Sequence, residues 1–433
     1  MKQFLFVLLV LAISATLQAK ASNGYKEGDT LNFWTPSYID WPSLQHVPQR
    51  NLTAVCKKAG DHCYVFVEKG IPQPAQSEIN KVVSDFDTHF YDSLTFRYGP
   101  VPDAFDHDSR IFILVMKEPS WGGYYDPGQQ MSDSLINALW NKRSNEREVI
   151  YVSESSFSGV TEIVAHEFGH LLHWQQDHSP EPADNPVRYW EEAWVDEGFS
   201  TFAAIYLTEN IFEKDVADSR TFFVSNPDIP LIYFSNYNQV KLFMLYMFEH
   251  FGGWDYITHL IRNQADGIAG VESTLKQLGY SESFDDAFEQ WIIANYVDNP
   301  SFGNGKYAYR HYNFQPCKVS AAYTTLPKQK AEAKVRPYAA DYITFTAGKK
   351  SKPFSIRFEG QKDSRFRTAF ILMNSKDNSI ADIVTVKPDA QNTALFKADG
   401  FGKQYDRVVM AVMCVDASVS EKGLVSYSYI TEK

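Results

Sequence analysis

Two periodicities divide the chain. From residue 31 to about 152, apolar residues fall in short runs and alternations. Residues 53–68 read as a β-hairpin, 111–116 as a buried strand and 148–152 as one more short strand. One amphipathic helix interrupts them over 77–91, with Ile79, Val82, Val83, Phe86 and Phe90 on a single stripe. Residues 121–128 read as loop. From Val160 to about Val297 the period becomes helical: Val160, Ile163, Val164, Phe168, Leu171 and Leu172 form one broad stripe. An acidic, Pro-containing loop follows over 177–186, then helices over 189–207, 238–251, 257–261, 271–278 and 284–296. Beyond residue 338 the pattern is all strand, over 342–345, 354–358, 368–373, 383–386, 407–415 and 424–430, as in a β-sandwich.

The expected fold class is therefore α+β. A strand-rich part covers 22–159, a helical part 160–325, a polar linker 326–337 and an all-β sandwich 338–433. Residues 1–21 stand apart. A positive start, an apolar run from Phe4 to Leu17 and the small-x-small Ala19-Lys20-Ala21 read as a secretory signal cleaved after Ala21. Export then places the protein outside the cytoplasm, with no membrane insertion once the leader is gone.

Composition adds limits rather than structure. The formal net charge of the 433 residues is −12, and loss of Lys2 and Lys20 with the leader takes it to −14. Such a chain is poorly suited to nucleic acid or an anionic membrane surface. The cysteines are Cys56, Cys63, Cys317 and Cys414. In an exported protein an even count favours disulfides, and the pairing expected is Cys56–Cys63 across the hairpin and Cys317–Cys414.

Chemistry concentrates at His166-Glu167-Phe168-Gly169-His170. On a helix, positions i and i+4 stand one turn apart on one face, so His166 and His170 can grip one metal ion. Glu167 lies beside them, where it can accept a proton from a water activated by that ion. Two histidines are too few for catalytic zinc, which takes three protein ligands. A third histidine six residues beyond His170 is missing, because His173 and Gln176 stand where that pattern needs Gly and His. His173 is expected to pack or to line a rim. The remaining source is a carboxylate of the next helix, in Glu191-Glu192-Ala193-Trp194-Val195-Asp196-Glu197-Gly198-Phe199.

Taken together, His-Glu-Phe-Gly-His and Trp194-Val195-Asp196-Glu197-Gly198-Phe199 resemble the gluzincin metallopeptidases, most of all the hyicolysin-like bacterial secreted peptidases. The resemblance implies Glu197 as third ligand to one Zn2+ ion, with Glu191 and Glu192 solvated or supporting. It also implies that Tyr237, leading the segment 237–248, donates a hydrogen bond to the oxyanion; Tyr189 and Tyr233 are its rivals. An Asp expected four residues after the ligand is Thr201 here. The G-x-M-E-N segment of the aminopeptidase relatives is missing, which favours endopeptidase action.

The function expected is hydrolysis of protein or peptide substrates by a secreted monomer, with the strand over 148–152 pairing with an extended substrate as an added edge strand. Two other classes compete: a peptidase-like binding or adhesion protein that no longer cleaves, and a zinc-stabilised structural protein. The second normally shows four protein ligands, cysteine among them.

Overall fold

Alternation in the first third of the chain becomes one mixed sheet. In the computed structural model the described residues are 24–36, 49–103, 105–118, 121–177, 191–207, 209–234, 236–310, 316–326, 329–346 and 352–432. The expected leader, residues 178–186 of the acidic loop, and Tyr189 lie outside them. The described chain divides into two compact units. One ends at residue 190 and takes in Ser200–Glu209; the other joins Glu191–Phe199 to the residues from Asn210 onward.

The first unit holds strands β1 (Thr30–Pro36), β2 (Gln49–Ala59) and β3 (Cys63–Glu68), then helices α1 (Gln76–Asp85) and α2 (Tyr91–Tyr98) joined by a π-helical turn, Phe86–Phe90. Strand β4 (Ile111–Met116), strand β5 (Gly123–Tyr125), helix α3 (Asp133–Trp140), strand β6 (Val149–Ser153) and helix α4 (Val160–Asp177) follow. The sheet order is β1-β2-β3-β4-β6-β5. Strands β3, β4 and β6 run parallel and are wholly buried, as continuous apolar runs in a covered parallel sheet should be. Helix α1 packs on β2 and β3, and α4 on β5 and β6.

Two expectations are corrected by this topology. The expected loop over 121–128 contains β5, which pairs antiparallel with β6. In consequence β6 is not an edge; it lies between β4 and β5, and β5 closes that side of the sheet. A three-residue strand with glycine at its start offers no alternation to read, and edge position is a matter of long-range pairing.

Helix α5 (Ala193–Leu207) contributes to both units. The second unit continues with α6 (Glu209–Ser225), α7 (Tyr237–His250), α8 (Trp254–Ile261), α9 (Gly267–Gln277) and α10 (Phe284–Val297). Its strands are β7 (Ala321–Tyr323), β8 (Ala331–Val335), β9 (Ala340–Thr346), β10 (Phe354–Gly360), β11 (Phe366–Met373), β12 (Ile380–Val386), β13 (Thr393–Ala398), β14 (Arg407–Cys414) and β15 (Val425–Glu432). They form sheets ordered β13-β10-β15-β8 and β12-β11-β14-β9-β7 around an aromatic core, in which Phe370 and Phe396 stack at 4.2 Å. Residues 326–337, expected as a linker, include β8. Its Glu332 and Lys334 alternate outward on the last strand of a sheet, where charges discourage further pairing. Helix α10 lies against β11 and β14, and Tyr342 donates its hydroxyl hydrogen to the Ile292 carbonyl at 2.7 Å.

The expected disulfides are not formed: all four cysteines are buried, unpaired thiols. A bulge after Cys56 sets it opposite Phe66, while Cys63 pairs back to Gly60. Three residues of strand, about 10 Å, exceed the reach of a disulfide. Cys414 points into the sandwich core beside Phe366. Cys317 instead meets the Arg220 guanidinium at 3.3 Å, on the side of the sheet from which Tyr342 reaches α10. Burial is the main reason the Cys56 and Cys414 thiols are pushed up, to about 11 and about 12.

Candidate metal centre

Helix α4 is long enough to bury one stripe and present another. Val164, Ala165, Phe168, Leu171 and Leu172 are buried, with the Phe168 ring 4.9 Å from Phe86 and stacked on Tyr91. That packing turns His166 and His170 together to the opposite side. Their Nε2 atoms stand 3.1 Å apart, with the rings nearly perpendicular. His173, two turns after His166, is buried.

Glu197 joins them. One ligand atom each from His166, His170 and Glu197 lies within 4.8 Å of the others, the one such group of three or more His, Cys, Asp or Glu side chains among the described residues. Glu197 is buried, 5% exposed. The donor set, two imidazole nitrogens and a carboxylate oxygen, could hold a metal ion.

Three glycines allow these elements to approach. A Cβ on Gly169 would lie 3.0 Å from the Ser200 Cα, so glycine here lets α4 and α5 close backbone to backbone. A Cβ on Gly198 would lie 3.0 Å from the Met244 Cε and 3.8 Å from the Val240 carbonyl, so the residue after Glu197 seats α7. A Cβ on Gly123 would lie 2.8 Å from a Glu167 carboxylate oxygen and 2.3 Å from Ile163. Glu167, itself only 6% exposed, is thereby laid against the backbone of β5. Its charge, after burial, Asp126 and Tyr151, helps push the Tyr124 phenol well above its ordinary value.

Tyr237 is the first residue of α7, one turn before Val240. It is 47% exposed, with its ring edge against Phe234 at 4.8 Å. Asn236 caps the helix beneath it, accepting from the Asn238 N–H at 2.8 Å. Of the rivals, Tyr233 commits its hydroxyl to the carbonyls of Ala417 and Val419. Thr201, at the position of the expected Asp, is buried, and its hydroxyl meets no hydrogen-bond partner among the described residues.

Sequence reasoning missed the parts that act through backbone. Strand β5 leaves as its only trace in the sequence Gly122-Gly123 followed by two tyrosines. Glu191 and Glu192 are not simply solvated: Glu191 accepts the Gly267 N–H at 2.7 Å and Glu192 the Trp194 indole N–H at 2.6 Å.

Compared with protein families the chain matches none, and no curated protein matches it. Among solved structures it is similar to the pre-peptidase C-terminal domain of a collagenase from Bacillus anthracis. There the identity is 15% and the TM-score 0.18, over 28% of this chain and all of that one. It is also similar to PliG of Aeromonas hydrophila, a periplasmic inhibitor of g-type lysozyme, at 8% identity and a TM-score of 0.19, over 27% of this chain and 96% of that one. Likeness at that level carries no conclusion about the centre on α4 and α5.

Proposed function

We propose that this chain is a secreted zinc-dependent endopeptidase of the gluzincin kind, acting as a monomer on protein or peptide substrates. The observation that carries the reading is the convergence of His166, His170 and Glu197 onto one point. The gluzincin arrangement, a strand-rich part followed by a helical part with the ligands on two successive helices, gives that convergence its purpose.

His166, His170 and Glu197 would hold the ion. When bound, zinc supplies Lewis acidity towards the scissile carbonyl and towards water. Glu167 takes the proton of the attacking water on its carboxylate and hands it to the departing amine. Burial against the Gly123 backbone fixes that carboxylate in one orientation. Tyr237 donates its phenolic hydrogen to the developing oxyanion. An extended peptide pairs with β5 rather than with β6, because β5 closes the sheet and lies over Glu167.

The test is metal analysis of the purified protein together with cleavage of casein and a peptide library, with and without chelator. One equivalent of zinc and chelator-sensitive cleavage are expected. Tight zinc with no cleavage of any substrate would replace this reading with that of a binding protein, and absence of zinc would end both.

A further inference from the structure

We propose that Glu191 and Glu192 are positioning residues for Glu197, fastening the start of α5 to the N-terminal end of α9. The proposal rests on the metal-site reading above.

Helix α9 opens at Gly267, whose φ is +56°, and the preceding Asp266 makes no side-chain cap. The vacant N–H is met from outside: Gly267 donates to the Glu191 carboxylate at 2.7 Å, and that same oxygen accepts the Glu192 N–H at 2.6 Å. The Glu192 carboxylate occupies the space a side chain at 267 would need, since a Cβ there would fall 2.3–2.5 Å from its carboxylate atoms. Two carboxylates thus meet the positive end of the α9 peptide dipoles. Glycine at 267 permits both the left-handed backbone and the close approach.

The anchor continues directly into α5. Glu192 accepts the Trp194 indole N–H, and Trp194 is 1% exposed among Phe243 and Phe284. The Glu192 carbonyl accepts from the N–H groups of Val195 and Asp196 at 2.8 and 3.2 Å, opening the helix. Glu197 follows five residues after Glu192. At roughly 100° and 1.5 Å per residue, a slip of the helix start turns and shifts the ligand carboxylate in proportion. Zinc ligation tolerates only about 0.2 Å in ligand distance. Gly198 against α7 and Gly169 against Ser200 hold the helix after the ligand, so Glu191 and Glu192 supply the missing hold before it.

The test is the zinc dissociation constant of the full chain, read by competition with a chromophoric chelator, beside the melting temperature without metal. Glu192→Ala and Glu191→Ala should each weaken zinc binding by about tenfold or more, the usual cost of losing a group that orients a ligand. Glu192→Gln, which still accepts from Trp194, should recover most of the affinity. Gly267→Ala, which drives Glu192 away without touching its charge, should weaken binding as Glu192→Ala does. A lower melting temperature with an unchanged zinc constant would overturn the proposal, leaving the pair a purely structural tie. An unaltered chain that fails to bind zinc would overturn the metal reading itself.

Discussion

Two clusters of polar side chains in this molecule obey opposite rules. At the foot of α10, Arg367 of β11 lies between Asp286 and Glu289 at 2.7 and 3.2 Å, and Ser283 donates to Asp286 within a capping box. Burial opposes ionisation of Asp286, but the hydrogen bonds of Ser283 and the Arg367 charge outweigh it and hold the carboxyl well below its usual range. Cation, anion and donor are all supplied by the protein, and the cluster is closed. At His166, His170 and Glu197 two imidazole nitrogens and a carboxylate oxygen lie within 4.8 Å of one another, ligand atoms of the kind a metal ion draws together. The first pattern ties a helix to a sheet; the second could hold a metal ion.

The sharpest way to break the comparison is Glu167→Gln. It leaves the three ligands in place and removes only the proton acceptor. Hydrolysis should fall by about two to four orders of magnitude with zinc content unchanged. A variant as active as the unaltered chain would remove the catalytic half of the reading and leave the metal half standing. The closed cluster answers to stability instead. Arg367→Ala strands Glu289, 7% exposed, while Asp286 keeps Ser283 and Lys387, and should cost about 3 kcal/mol in denaturant unfolding with zinc affinity unchanged.

Gly169→Ala joins geometry to metal. The added methyl meets the Ser200 backbone at 3.0 Å, so α4 and α5 must part by a few tenths of an ångström. About 1–3 kcal/mol of stability should go with that overpacking, and zinc binding should weaken because His170 and Glu197 sit on the two helices that move. Loss of stability alone, with the zinc constant intact, would show that the ligands do not depend on this contact.

What could be read from sequence followed local periodicity. His166 and His170 are legible from helical spacing, and β4 was legible to the residue because an isolated apolar hexamer has few alternatives. Glu197 needed resemblance, since Glu191, Glu192 and Glu197 are alike to a spacing argument until the start of α5 at Ala193 is in place. Strand β5 and the neighbours of β6 were not legible, because edge position depends on pairings made far along the chain. The cysteines misled for a related reason: Cys63 stands at the turn end of the hairpin and Cys56 further along it, opposite Phe66, and that register is not visible in the spacing. Strand β8 hid behind its charges, which belong to an edge strand as readily as to a linker.

The last prediction tests the sheet against which Glu167 lies, through a carboxyl that is part of neither cluster. Glu148 stands just before β6, 2% exposed. Burial above all, then the charge of Asp106, pushes its carboxyl from 4.5 up to about 8. Asp106 is itself raised to about 6, chiefly by burial, against the pull of the Asp108 N–H and Arg147. A folded state that keeps a proton the unfolded chain has lost is stabilised by acid. The contribution is full below the unfolded value of 4.5 and is lost as pH rises through about 8. Melting temperatures taken across that range in chelator, so that zinc plays no part, should therefore fall towards alkaline pH. Glu148→Gln keeps the shape and removes the titration. Its curve should lie close to the unaltered protein's in acid, flatten through neutrality and stand highest above it near pH 9. Parallel curves would mean that Glu148 is as ionised in the fold as out of it, and that the space before β6 is wetter than its burial implies.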